Sequence, residues 1–324
     1  MRAVRVREFG PPEVLRIEEI EDPKPSVGEV LVAVEVAGVG YGDVIVRSGR
    51  YPFPKPYIPG LEVGGRVVAV GPDVDSSLTG KRVVATTAGM TGGYAELALA
   101  DADSIYEVPE GLTLGPAVAV FQAGAVAVGL VSAIQVRPGD SVLITAAAGR
   151  IGSLLVQRAK AAGAATVIAA VGSPEKADVA AEFGADAVVD YTTPGWVAKV
   201  REVTAGRGAD VTLDAIGGDV GGQALAATAD GGGRFGLYGF TCGTWVELDA
   251  HEIGRRGLTV VGTLGIAFAK PAAEQRADAE EALRAACAGQ LVPRIHASFP
   301  LDRAAGAHAV LEGRQSTGAI LITP

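Results

Sequence analysis

This chain of 324 residues is poor in the side chains that build metal centres and disulfides: three histidines and two cysteines in all. Cys242 and Cys287 stand far apart with no ligand-like spacing. That excludes a disulfide-stapled secreted scaffold and a zinc ribbon, and it fits a reducing cytoplasm. Basic residues are also in deficit, with 28 Lys and Arg against 37 Asp and Glu, a formal net charge of -9. Nucleic acid is an improbable partner for such a chain, because phosphate binding needs a basic face. The N-terminal stretch "MRAVRVREFG" alternates apolar and charged residues like a strand and lacks the apolar segment of a signal peptide. One uncharged run, 111–136, is long enough to span a bilayer. Its Pro116, Gln122 and many small residues make a buried helix of a soluble core the better reading, so no membrane association is expected.

What is abundant is glycine, 45 residues, and it punctuates two different patterns. Over the first hundred residues, "EVLVAVEVAGVG", "GGRVVAVGPDV" and the stretch after Thr79 read as short strands ending at Gly or Pro-Asp turns, which predicts a barrel-like all-β region. From about Gly124 apolar strands alternate with Ala-rich helical segments: "SVLITA" then "GSLLVQRAKAAG", "ATVIAAV" then "SPEKADVAAEFG", "DAVVDY" then "WVAKVREVTAG", "ADVTLDAIG" then "QALAATADGG". "GRFGLYGF" and "LTVVGTLG" close the series. This is the pattern of βαβ units and a parallel sheet. After Leu264 a helical stretch and the strand "GAILITP" form a tail suited to folding back onto the first region.

The first βα connection, "TAAAGRIG", occupies the place of a phosphate-binding turn. In the pattern G-x-G-x-x-G its first glycine is replaced by Ala147, which keeps the turn if its φ is negative. Gly149 allows the backbone to approach a pyrophosphate, Gly152 allows close helix–sheet packing, and Ala148, Arg150 and Ile151 complete the turn at the helix N-terminus. The next strand ends in Val171-Gly172-Ser173 with no carboxylate to bind ribose hydroxyls. Ser173 and Lys176 can instead hold a 2′-phosphate, although Lys176 alone reads equally well as a solvated helix residue. The cofactor expected is NADPH.

"AGVGYGDVIVRSGRYP" (37–52), "IPGLEVGGRVVAVGPDV" (58–74), "AAAGRIGSLLVQRAKAAGA" (146–164) and "GSPEKADVAAEFGADAVVDY" (172–191) together resemble the medium-chain dehydrogenase/reductase superfamily, in its zinc-free quinone oxidoreductase (zeta-crystallin-like) branch, over nearly the whole chain. The resemblance implies an α/β protein with a GroES-like β-barrel domain (1–122 and 265–324), a Rossmann domain with a doubly wound parallel sheet that binds NADPH (123–264), and an active-site cleft between them. It also implies a homodimer joined through the last Rossmann strand, "LTVVGTL". By the same resemblance Tyr191 lies near the adenine or the 2′-phosphate. Tyr238, Gly239 and Phe240, with Leu264 inside Gly262–Gly265, border the nicotinamide ribose, and Arg314 reaches the adenosine phosphate.

The zinc alcohol dehydrogenases of the superfamily are the first rival. Their ligand cysteine falls at Gly40 and their ligand histidine at Leu61, so the donors of a catalytic zinc are missing; Glu62 remains as a structural acid. Hydride transfer to a conjugated carbonyl needs orientation, a dry site and a proton source. Tyr41, Asp43 and Tyr51, with Arg47, lie in the segment that lines the nicotinamide side in the family. Tyr41 is the candidate acid. Asp43 fits a turn cap as well as a catalytic contact, and Tyr51 a packing aromatic as well. The family's Asn is Gly40 here, its Thr is Ala125 and its C-terminal Lys is Ala319. His251, His296 and His308 fall at no catalytic position, His308 having a surface or packing role, and Cys242 is small-residue lining. The function expected is an NADPH:quinone oxidoreductase-like, cytoplasmic reductase of quinones or other α,β-unsaturated carbonyls. The alternatives are a pathway-specific enoyl or enone reductase of bacterial secondary metabolism, or a nucleotide-binding protein with little turnover.

Overall fold

The computed structural model describes all 324 residues, Met1–Pro324. They divide into two compact units, residues 1–122 with 283–324, and residues 123–282. The two boundaries fall inside the helices Leu114–Ala133 and Ala272–Cys287.

The first unit is built on a mostly antiparallel sheet in the order Ile295–Pro300, Ala319–Thr323, Glu29–Val39, Glu62–Val70, Arg82–Thr86, Ile105–Glu107, with Leu97–Asp101 also paired to Glu29–Val39. Alternation in "EVLVAVEVAGV" sends Val30, Val32 and Val34 into one core with Val63, Val67 and Ile322, as period-two patterning requires. The C-terminal tail returns to this unit: Ile320 pairs with Val39 and Ile322 with Ala37.

The second unit holds six parallel strands in the order Ala187–Asp190, Thr166–Val171, Ser141–Thr145, Val211–Asp214, Arg234–Leu237, Thr259–Val261. All side chains of Ser141–Thr145 and Val211–Asp214 are buried. Strands covered on both faces by helices therefore read as unbroken apolar runs. The strand order reverses between Ser141–Thr145 and Val211–Asp214, the point where α/β sheets open a crevice beyond their strand ends.

Two expectations about borders change. The second unit keeps residues 265–282, which the sequence reading assigned to the barrel after position 264. Arg158 pairs with Glu281 at 2.6 Å and Lys270 with Asp278 at 2.5 Å, and a Cβ added at Gly129 would meet Ala267 at 2.9 Å. Loss of strand–helix alternation after Leu264 does not reveal which unit a helix packs on. The run "LTVVGTLG" is also only part strand: Thr259–Val261 pairs, and Thr263–Phe268 is helical. The uncharged run forms the helix Leu114–Ala133, long and apolar enough to cross a membrane. Since 78% of its apolar window is buried within the protein, it is packed as a core helix.

Candidate active site

The turn after Ser141–Thr145 has the shape a pyrophosphate needs. Gly149 is the N-cap of the 12-residue helix Arg150–Ala161, whose first-turn N–H groups have no carbonyl four residues earlier to bond. Arg150 and Ile151 open that helix, and Ala148 is buried beneath them. A Cβ at Gly152 would lie 2.2 Å from the Ala146 carbonyl oxygen, while one at Gly149 would meet that atom at 3.1 Å and nothing else within 4 Å. Gly152 is thus required by packing, whereas a side chain at Gly149 would crowd only the Ala146 oxygen. The altered first position is explained as well. The left-handed residue is Ala146, at φ 51°, and Ala147 is not among the positive-φ residues. Ala147 donates its N–H to the Ala170 carbonyl at 3.2 Å.

At the end of the neighbouring strand Thr166–Val171, Gly172 lies against Tyr191. A Cβ at 172 would stand 2.4 Å from the Tyr191 hydroxyl, so a side chain of the NAD-binding type has no room there unless the ring moves. Ser173 follows, and Lys176 lies on the helix Glu175–Glu182. One feature here was missed in the sequence. The Ser173 hydroxyl donates to the Glu175 carboxylate and, with a backbone N–H, holds Glu175 below the usual carboxylate range. Acid is absent from the strand end and present four residues beyond it, at the first position of the next helix.

The switch point itself is organised by a buried pair that sequence reasoning also missed. The Thr145 hydroxyl donates to Asp214 Oδ1 at 2.7 Å, and the Ala215 N–H donates to that hydroxyl oxygen at 3.0 Å. Asp214 further accepts the N–H groups of Ile216 and Gly217 at 3.1 and 2.9 Å. An acid closing an apolar strand before Gly-Gly, in "TLDAIGG", was the available signal. Tyr238 is buried beside this pair, its hydroxyl donating to the Thr145 carbonyl at 3.4 Å, and burial pushes its titration far up. Gly239 and Phe240 follow, Phe240 packing on Trp245 with centroids 4.7 Å apart. Leu264 lies on the helix Thr263–Phe268.

In the first unit Tyr41 is the first residue of the helix Tyr41–Arg47, capped at Gly40. Arg50 donates to the Tyr41 oxygen at 3.4 Å and stands 5.5 Å from its ring centre. Asp43 caps this helix. It accepts the Gly40 N–H at 2.9 Å, the Gly60 N–H at 3.1 Å and the Tyr94 hydroxyl at 3.4 Å. Burial pushes its carboxyl up to about 6 against the pull of those backbone donors, and Glu62 adds to the rise. Tyr51 is 59% exposed. Arg314 takes φ 54° just beyond the helix Ala304–Glu312. Of the surface and packing roles open to His308 it takes the buried one, bonded through Nε2 to the Tyr94 hydroxyl at 3.1 Å. An apolar helical neighbourhood gives no hint of a polar partner 214 residues away in sequence. No group of three or more His, Cys, Asp or Glu is placed to hold a metal ion.

The family comparisons agree with this geometry. The model of the alcohol dehydrogenase GroES-like domain matches residues 26–110, and that of the zinc-binding dehydrogenase matches 151–286. The quinone oxidoreductase-like protein 2 homolog of Nematostella vectensis is 33% identical, covering 99% of this chain and 88% of the relative. The 2-haloacrylate reductase of a Burkholderia species is 32% identical over 99% of this chain and 98% of its own. Among solved structures, Escherichia coli quinone oxidoreductase complexed with NADPH superimposes with a TM-score of 0.92 at 28% identity, covering both chains completely. With a GroES-like unit, a doubly wound unit and relatives of this identity along its whole length, the chain belongs to the medium-chain dehydrogenase/reductase superfamily, in its quinone oxidoreductase branch.

Proposed function

We propose that the protein is a zinc-independent, NADPH-dependent reductase that delivers hydride to a quinone or another α,β-unsaturated carbonyl. The observation that carries this reading is the pairing of an open pyrophosphate turn at Gly149 with a second strand that ends at Gly172, where Tyr191 occupies the place of a ribose-binding acid. The residues fit the cofactor: glycine at 149 lets a phosphate approach the turn, Lys176 supplies a cation for the 2′-phosphate, and the Ser173 hydroxyl would turn from Glu175 to donate to it. The Escherichia coli relative complexed with NADPH supports the same cofactor here.

Bound NADPH supplies the hydride. The chain's part is orientation and proton delivery. The helix N-terminus at Arg150 and Ile151 anchors the pyrophosphate, and the Thr145–Asp214 pair fixes the backbone of the two loops at the switch point. Tyr41 is the proton donor for the reduced carbonyl: Arg50 donates to its oxygen, which leaves the phenolic proton for transfer elsewhere. Asp43, with both oxygens engaged, holds the turn that presents Tyr41. Gly40 and Leu61 supply no donors to a metal, so the enolate or hydroquinone anion is stabilised by hydrogen bonds and protonation. The free edge of Thr259–Val261 joins two copies into a homodimer. The acidic surface charge and two free cysteines suit the cytoplasm.

A pathway-specific enoyl or enone reductase is the second reading, favoured by the full-length likeness to a 2-haloacrylate reductase. NADPH and NADH oxidation against a panel of benzoquinones, enones and enoyl thioesters tests both. Faster turnover of quinones with NADPH supports the first reading, and a preference for one thioester supports the second. Tight NADPH binding with no turnover would return the protein to a cofactor-binding role.

A further inference from the structure

Arg47 Nε, His308 Nδ1 and the Tyr57 hydroxyl are buried in the first unit without a hydrogen-bond partner. They belong to one cluster. Arg47 and His308 are both fully buried, on helices joined by the Arg47–Glu312 ion pair at 2.5 Å. The Arg47 charge acts on both His308 and Tyr57. An orphan donor, an orphan acceptor and a hydroxyl buried in one unit are the kinds of group an ordered water satisfies, given two to four polar partners.

The donor and acceptor roles give this cluster a direction. Asp43 carries a carboxylate that only accepts, so Tyr94 donates its O–H to Asp43 and its oxygen must accept from His308 Nε2–H. His308 is then neutral with a bare Nδ1, the form favoured beside a guanidinium. Burial first, and Arg47 second, push its titration down to about 3. The opposite tautomer would leave a bare Nε2 facing the Tyr94 oxygen, whose only proton is already given to Asp43.

We propose that Arg47, His308 and Tyr94 form a buried positioning relay, closed by one ordered water between Arg47 Nε and His308 Nδ1, that fixes Asp43 and through it the Gly40 and Gly60 backbone presenting Tyr41. The relay runs Arg47, water, His308, Tyr94, Asp43, and ends on the N–H groups of the two glycines. Every member acts through Asp43, and none touches the reacting atoms. The catalytic consequence rests on the reading of Tyr41 as proton donor; the tautomer and the water do not.

The test uses the full-length protein. ¹⁵N NMR of His308 reports a protonated Nε2 and a bare Nδ1 if the relay is right, and a crystal structure shows the water. Tyr94→Phe keeps the ring and removes the link. It lowers kcat with NADPH and a quinone by about tenfold, the size of one hydrogen bond to a charged group, while KM for NADPH moves by less than about twofold. His308→Gln, which can still donate to Tyr94, recovers most of the rate that His308→Leu loses. A protonated Nδ1, or full kcat in folded Tyr94→Phe, overturns the relay. If Tyr41→Phe is itself fully active, the donor assignment fails, and the tautomer and the water still decide the relay.

Discussion

Gly149 and Gly152 stand three residues apart in one turn, and alanine at each should fail for a different reason. At Gly152 the added Cβ meets the Ala146 oxygen at 2.2 Å and the Ala147 Cα at 2.8 Å. Both are backbone atoms of a buried turn, so the helix Arg150–Ala161 must move off its strand. Overpacking of this kind costs about 1–3 kcal/mol. In a domain of this size that lowers Tm by roughly 2–4 °C per kcal/mol, and NADPH affinity falls with it. At Gly149 the contact is 3.1 Å with a single atom, so the fold tolerates alanine at a cost of about 1 kcal/mol or less for the weaker N-cap. On the proposed binding mode the new methyl obstructs the approach of the pyrophosphate. Losing one hydrogen bond to a charged group costs about 1.5–3 kcal/mol, roughly a 10- to 150-fold rise in Kd for NADPH. Differential scanning calorimetry and fluorescence titration on the two variants separate the effects. If Gly149→Ala binds NADPH as tightly as the parent protein, the pyrophosphate does not sit on this turn.

Four further outcomes follow from the same geometry. Lys176→Ala should weaken NADPH binding about fivefold, the worth of one exposed ion pair, and leave NADH unchanged; an equal effect on both would make Lys176 a solvated helix residue. Asp214→Ala strands the Thr145 hydroxyl and two loop N–H groups inside the protein, and each buried orphan costs about 1–3 kcal/mol, so the urea midpoint should fall steeply. Tyr41→Phe should lower kcat at least tenfold, within the usual range for one general acid, with little change in NADPH affinity; an unchanged rate assigns protonation to water.

The fourth outcome concerns pH. Asp43 has a folded-state carboxyl raised from 3.8 to about 6, so its contribution is present below the unfolded value and lost as pH rises through that window, about 3 kcal/mol in all. His308 is depressed from 6.5 to about 3, so stability is lost as pH falls through that range, about 5 kcal/mol. Between pH 4 and 6 the two slopes oppose each other. Asp43→Asn removes one of them, and the variant should lose stability more steeply than the parent protein on acidification across that window. Parallel stability curves in urea melts would refute the assignment.

Patterns that depend on local periodicity were legible in the sequence. The strands of the second unit, the turn at Gly149 and the absence of an acid at Gly172 all follow from residues close together in sequence. Even the replacement of a glycine by Ala147 has a local solution, since the left-handed position moved to Ala146. What stayed hidden depends on contacts distant in sequence. His308 reads as an ordinary helix residue until Tyr94 is placed against it, and Asp214 reads as a strand end until Thr145 bonds to it. The unit that holds residues 265–282 was equally hidden, because Glu281 chooses its side by pairing with Arg158. Glu175 is visible in the sequence, but its bond to the Ser173 hydroxyl emerges only from the folded turn.

The most direct test of the central claim is a turnover measurement on chelator-treated protein, mixing NADPH with a simple benzoquinone and following loss of the reduced cofactor in a stopped-flow instrument. The account predicts oxidation of NADPH that is faster than that of NADH, slowed by deuterium at the transferred position, and unchanged by added zinc. An enzyme silent until zinc is restored, or one that oxidises NADH in preference, would contradict it.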